Sequence, residues 1–159
     1  MRIIIFSILT LVSTQIFSSE RLTYKIQILT QDIANKAVIN AVNECDKLGY
    51  KVSAAITGRQ GNLLAFIRHP LSGPHTIQVS QKKSFTASTL QAPTGSQIQK
   101  ERPDLNFAPG ILLIQGAQPI NIAGHFYGGI AVAGADTQTD EKCAKKGLGI
   151  ITAELEFAE

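Results

Sequence analysis

The fold that we predict for this chain is decided by residues 110–147, which read GILLIQGAQPINIAGHFYGGIAVAGADTQTDEKCAKKG. Three apolar runs separated by glycine-containing turns follow one another here, at residues 110–115, 119–123 and 126–133. Such runs predict strands, and the short turn between the first two predicts a hairpin. The third run holds Gly128 and Gly129, and glycines inside a strand mark a bulge or the close approach of another backbone or a ligand. These two glycines therefore have either a structural or a ligand-binding role.

The N-terminal residues have the pattern of a secretory signal peptide. Arg2 precedes an apolar run over residues 3–12, which is too short to span a bilayer, and small polar residues follow it. We predict that residues 1–19 are removed on export to the periplasm or the medium. Residues 20–159 then form a single domain without a membrane span. A buried N-terminal strand is the alternative for this run.

Charge and composition argue against a nucleic-acid partner. The formal net charge is only +3, the chain has no Trp, and its basic residues occur in short pairs. Nucleic-acid binding needs clustered cations, and single strands also need aromatic side chains on which bases stack. We therefore predict no nucleic-acid partner.

The chain has two cysteines, Cys45 and Cys143. An exported protein meets an oxidising compartment, so a single disulfide between them is permitted. Both fall on the apolar side of predicted helices, and two buried free thiols are an equal alternative.

The remaining segments alternate between helices and strands. Thr30 and Gly49 bound a helix with one continuous apolar stripe. Further helices are predicted at residues 74–90, 96–102 and from about 138, and further strands at residues 52–57 and 63–68. The order predicts an α+β domain with five mostly antiparallel strands and packed helices. The helix at 74–90 carries many hydroxyl side chains, which predicts that one of its faces lines solvent or a polar site.

The three histidines, His69, His75 and His125, are the most informative polar residues. Neutral imidazole ligates zinc, copper or haem iron, although no spacing among the three requires a shared metal. His75 stands at a helix start beside Thr76, where free backbone N–H groups suit an anion such as a haem propionate. An exposed histidine without a ligand is the alternative.

A succession of short motifs resembles the GlcG/HbpS-like family, which includes the C-terminal domain of PduO-type proteins. The motifs are SGPHT (72–76), KKSFTA (82–87), QGAQPI (115–120), GGIAVAGA (128–135) and TDEKCAKKG (139–147). The resemblance covers about residues 30–150. The chain departs from the family at Gly58 and Pro70, where the family often has Asp, and this weakens the case for catalysis.

The resemblance implies a profilin-like or PAS-like sandwich with the first and last helices on one sheet face. That arrangement would bring Cys45 and Cys143 into one layer and favours a disulfide. The resemblance also implies homo-oligomers and, for several members, binding of haem or another tetrapyrrole. By residue match, His75 and Thr76 fall near the proposed ligand pocket.

We therefore predict an exported protein that binds haem or a small ligand. The predicted cofactor site consists of His75, Thr76, Gly128 and Gly129, with His75 as the metal ligand and no catalytic residue. A haem-degrading or small hydroxy-acid enzyme is one alternative, and an oligomeric structural or interaction module without a ligand is another. The prediction requires that residues 72–76 and the glycine-bearing strand meet around a gap.

Overall fold

Four antiparallel strands form one sheet, in which the first and fourth strands of the chain pair at the centre, the second lies beside the first, and the third lies beside the fourth. The computed structural model describes residues 22–157, so the predicted signal peptide lies outside the described residues. The strands are β1 (Ser53–Gly58), β2 (Leu63–Arg68), β3 (Ala117–Ile122) and β4 (His125–Ala133). The helices are α1 (Gln31–Lys47), α2 (His75–Leu90), α3 (Ser96–Glu101) and α4 (Thr137–Glu156), with a 3-10 turn at Pro103–Phe107. The predicted α+β class is confirmed.

The prediction of five strands is wrong, because residues 111–115 do not join the sheet. Gly116, with a φ of +129°, turns the chain, and pairing with β4 begins there, where the Val132 N–H donates to Gly116 O at 3.0 Å. Before that turn, the Leu112 N–H donates to Thr86 Oγ1 of α2 at 2.8 Å. The hairpin is therefore β3–β4, and the one predicted between the first two apolar runs does not form.

Helices α1 and α4 begin within one residue of their predicted starts. Thr30 Oγ1 accepts the Ile33 N–H at 3.4 Å at the start of α1, and Asp136 Oδ1 accepts the Thr139 N–H at 2.9 Å at the start of α4. Gly49, with a φ of +87°, follows the end of α1. The two helices pack on one face of the sheet, around a core that includes Ala37, Val38, Ala41, Ile56, Ile130 and Ile151.

A disulfide joins α1 to α4. It links Cys45 to Cys143, whose Cα atoms are 5.6 Å apart and whose positions are separated by 98 residues. A cross-link over so long a span removes much of the chain entropy of the unfolded state. The bond therefore ties the first helix of the domain to the last.

Small side chains on the opposite sheet face allow α2 to pack very closely. A Cβ on Gly129 would lie 2.5 Å from Ser84 O and 2.7 Å from Ser88 N, which are backbone atoms of α2. Gly128 has a φ of +142°, and a Cβ there would overlap the carbonyl oxygen of Thr57. Both glycines therefore have a structural role, since one admits the helix and the other admits the neighbouring strand.

The hydroxyl face of α2 is buried against this sheet face. Ser84 Oγ and Thr57 Oγ1 share a hydrogen bond of 2.8 Å, and Ser88 Oγ donates to Gly58 O at 2.8 Å. The prediction that this face of α2 lines solvent or a polar site is wrong for Ser84 and Ser88, because β1 supplies their partners. Buried hydroxyls with partners avoid the desolvation penalty that unpaired ones would carry.

A buried ion pair joins α2 to α4 around the end of the edge strand β3. Lys83 Nζ donates to Asp140 Oδ2 at 2.9 Å and to Val132 O at 2.8 Å, and Asp140 Oδ1 accepts the Ala135 N–H at 3.0 Å. The pairing of this edge with β4 ends at Gly116, which accepts the Val132 N–H, and Lys83 supplies a donor for the carbonyl oxygen of Val132. Burial lowers the pKa of Lys83 and raises the pKa of Asp140, and the opposite charge of each partner counteracts the shift.

We expect Gly129→Ala to lower the free energy of unfolding by about 3 kcal/mol, because its Cβ would press on the backbone of α2. Gly149→Ala is the matched control, since nothing lies within 4 Å of a Cβ at that helical position. The control should be neutral or stabilising by up to about 1 kcal/mol. Urea unfolding followed by circular dichroism measures both, and equal effects would contradict the close contact.

We expect Lys83→Met and Asp140→Asn each to destabilise the fold by about 3–5 kcal/mol, because each leaves one buried group without its partner. The double variant should lose less than the sum of the two single losses, as a double-mutant cycle would show.

In Lys83→Met, Asp140 loses the cation that holds its pKa down. A carboxyl whose pKa is raised by folding stabilises the fold at low pH, and this contribution is lost as the pH rises through the folded pKa. The deficit of Lys83→Met relative to wild type should therefore shrink as the pH is lowered from neutral, because protonation of Asp140 then stabilises the variant. A constant deficit would contradict the pairing.

We expect the Cys45→Ala/Cys143→Ala variant to lose about 2–5 kcal/mol of unfolding free energy, because the cross-link spans 98 residues. When the wild-type protein is unfolded without a reductant, a thiol reagent should detect no free cysteine. Two reactive thiols in that assay would contradict the disulfide.

Candidate functional site

The start of α2 is held by a buried cluster of hydroxyls around Thr76. Ser53 Oγ and Ser72 Oγ lie 2.7 Å and 2.9 Å from Thr76 Oγ1, which in turn donates to Gly73 O at 2.7 Å. Thr76 is only 1% exposed. It therefore anchors the SGPHT turn to β1 and has no side-chain surface to offer a ligand.

His75, the first residue of α2, is exposed. Its ring lies over Gly73, where a Cβ would come within 2.8 Å of Nδ1. The glycine therefore makes room for the imidazole against the turn. Within residues 22–157, no hydrogen bond to the ring accompanies this packing. The imidazole is thus placed by its backbone and remains open to solvent.

The structure does not bring this turn together with the two glycines. Thr76 contacts Ser53 at one end of β1, whereas Gly129 pairs with Thr57 near the other end. Four residues of strand separate these points by roughly 13 Å. The backbone of α2 packs against Gly129, so within residues 22–157 the turn and the two glycines lie at different points along the sheet.

The three histidines lie apart from one another. The Leu71 N–H donates to His69 Nδ1 at 3.1 Å, and His69 Nε2 lies 3.7 Å from Asp46 Oδ1. His125 opens β4, with its ring centroid 6.4 Å from that of Tyr127. In the part of the chain that the structure describes, no group of three or more His, Cys, Asp or Glu side chains could hold a metal ion. A ligand with its own iron would need only one of them.

Of the clefts that the described residues form away from the predicted site, two adjoin loops. One, of about 390 Å³, lies beside the loop before α3 and is bounded by Gln115 and Glu141. The carboxylate of Glu141 is already engaged there, because Gln118 Nε2 donates to it at 3.2 Å and Gln115 also contacts it. The other, of about 340 Å³, lies between residues 25–27, the end of β1 and the start of β4.

Sequence reasoning missed the Lys83–Asp140 pair and the second cleft. Lys83 lies within the KKSFTA motif and Asp140 within the TDEKCAKKG motif, but only the packing of α2 and α4 around β3 makes them neighbours. The antiparallel pairing of β1 with β4 brings Arg59 close to His125. The signal that could have revealed the cleft was the pairing itself, because in an antiparallel pair the end of one strand lies beside the start of the other.

The helices between residues 22 and 157 include none with the length and hydrophobicity that a membrane span requires.

Proteins of known sequence and structure share this architecture. The chain is 27% identical to protein GlcG of Escherichia coli K12 over 109 residues, which are 67% of this chain and 81% of GlcG. A crystal structure of HbpS is 33% identical, has a TM-score of 0.78, and is matched over 82% of this chain and 94% of its own. A structure titled PduOC:Heme complex shares the fold at 16% identity, with a TM-score of 0.70 over 77% of this chain and 94% of its own.

A family model described as haem degrading protein HbpS-like matches residues 29–149. This range runs from the last residue before Thr30, the cap of α1, into α4, and so includes all four strands. The resemblance inferred from the short motifs is confirmed, and the chain belongs to the HbpS-like family.

Proposed function

We propose that this protein binds haem or another tetrapyrrole. The observation that carries the proposal is the family match over residues 29–149. The likeness to HbpS over most of both chains adds to it. The fold shared with the PduOC protein, whose structure holds heme, is consistent with it.

His75 is our candidate for the axial ligand. An exposed neutral imidazole is a good ligand for haem iron, and the buried Thr76 beside it fixes the turn on which it stands. Leu71, four residues earlier, is 77% exposed and supplies apolar surface in the same turn. These residues fit a surface-bound haem, which would bring its own iron and redox chemistry. In this proposal Gly129 contributes through the packing of α2, and Gly128 through the close approach of β1.

The cellular setting is a further part of the proposal. The signal-like residues 1–19 and the Cys45–Cys143 disulfide both suit an exported protein in the periplasm or the medium. A homo-oligomer is supported by large apolar side chains that stay almost fully exposed, among them Leu22, Tyr24 and Phe107. We also propose that the domain is a profilin-like or PAS-like sandwich, as the family resemblance implies.

We expect purified protein without residues 1–19 to shift the Soret band of added hemin. His75→Ala should remove the spectrum of imidazole-ligated iron and weaken binding by about tenfold, or about 1.4 kcal/mol. His69→Ala is the matched control, because that ring is already engaged by the Leu71 N–H and faces Asp46. An unchanged Soret band on addition of wild-type protein would remove the proposal. Identical spectra for wild type and His75→Ala would remove His75 as the ligand.

Haem degradation is a second candidate, favoured by the description of the family. It would appear as loss of the Soret band with release of iron under a reductant and oxygen. The rate must exceed that of hemin alone.

A further inference from the structure

The cleft of about 340 Å³ has walls from three separate segments. They are the N-terminal arm at residues 22–29, which has no regular secondary structure, the turn after β1, and the start of β4. Its described lining residues are Lys25, Ile26, Gln27, Arg59, His125 and Phe126. A volume of this size lies within the range of small-molecule sites in proteins, about 300–1,000 Å³.

Hydrogen bonds through Tyr127 hold these three segments together. Its hydroxyl donates to Gln27 Oε1 of the arm at 2.7 Å, and its carbonyl oxygen accepts the Arg59 N–H at 2.9 Å. Leu29, at the end of the arm, is buried in the core. The arm is therefore fixed at two points, and the cleft beneath it is a built feature of the fold.

The chemistry of the walls combines positive charge with apolar surface. Of the described residues that line the cleft, none is acidic, and two, Lys25 and Arg59, are cationic. Neither cation forms an ion pair with any residue from 22 to 157. The guanidinium of Arg59 offers the fork that matches a carboxylate, while Ile26 and Phe126 offer apolar and aromatic contact.

From this combination we infer that the arm cleft is a binding site for an aromatic carboxylate. The carboxylate would meet Arg59 and Lys25, and the ring system would lie against Phe126 and Ile26. This site is separate from His75, because the cleft adjoins the end of β1 at Gly58 and the helix start adjoins its beginning at Ser53. No iron ligand is needed here, so the inference stands apart from the haem proposal.

Two metal-free probes test the site: 2-naphthoate and protoporphyrin IX, each titrated against full mature protein by fluorescence. We expect at least one of the two probes to bind to the wild-type protein. Lys25→Glu/Arg59→Glu should weaken that binding about tenfold or more, because the attraction between the cations and the carboxylate of the probe becomes repulsion. Binding to wild type should also weaken as salt rises, since the contacts are exposed. His75→Ala should leave binding of both probes unchanged.

The matched control is Lys100→Glu/Lys142→Glu, which makes the same change of net charge on exposed helix residues outside the cleft. It should retain wild-type affinity, and circular dichroism should show both double variants folded. No binding of either probe to wild type would overturn the inference. Equal loss in the control variant, or unchanged affinity in Lys25→Glu/Arg59→Glu, would also overturn it. The hemin titration of His75→Ala tests only the haem proposal, so either proposal can fail without the other.

Discussion

The close contact between the backbone of α2 and strand β4 at Gly129 determines how this domain is built. Ser84 O and Ser88 N lie where any side chain at position 129 would stand, so helix and strand meet with no side-chain layer between them. At such a distance the helix can present only small or hydroxyl side chains to the sheet. Ser84 and Ser88 do so, and each hydrogen-bonds to β1. The polar character of α2 is therefore a consequence of the contact.

The two faces of the sheet are consequently stabilised in different ways. On one face, α1 and α4 bury a continuous apolar core, which the Cys45–Cys143 disulfide crosses. On the other, hydroxyl hydrogen bonds replace most of the apolar contact, with a small cluster of Ala87, Ala117 and Ala131. The Lys83–Asp140 pair joins the two layers at the edge where β3 has turned away. Because both groups are buried, each depends on the other to remain charged.

Features with local causes were predictable from the sequence, and features that depend on long-range partners were not. Thr30 and Asp136 cap their helices with side-chain oxygens, and Gly49 follows the end of α1 with a positive φ. Each of these boundaries depends only on residues close in sequence. Residues 111–115 have the composition of a strand, but a strand needs a neighbour, and Thr86 of α2 takes the Leu112 N–H instead. At the candidate site, the exposure of His75 followed from its position at a helix start. The surroundings of Gly128 and Gly129 depended on β1 and α2, which are distant in sequence.

The same contact closes the middle of one sheet face, because the backbone of α2 lies against β4 there. The two places for which we propose ligands lie at the two ends of β1. At its beginning the chain exposes the imidazole of His75, held by the buried Thr76. At its end, the bulge opposite Ile120 and Asn121 leaves Tyr127 outside the regular register. There Tyr127 bonds both the N-terminal arm and Arg59. The glycines predicted to form a pocket wall instead close the centre of the sheet, because Gly129 admits the backbone of α2 and Gly128 admits β1.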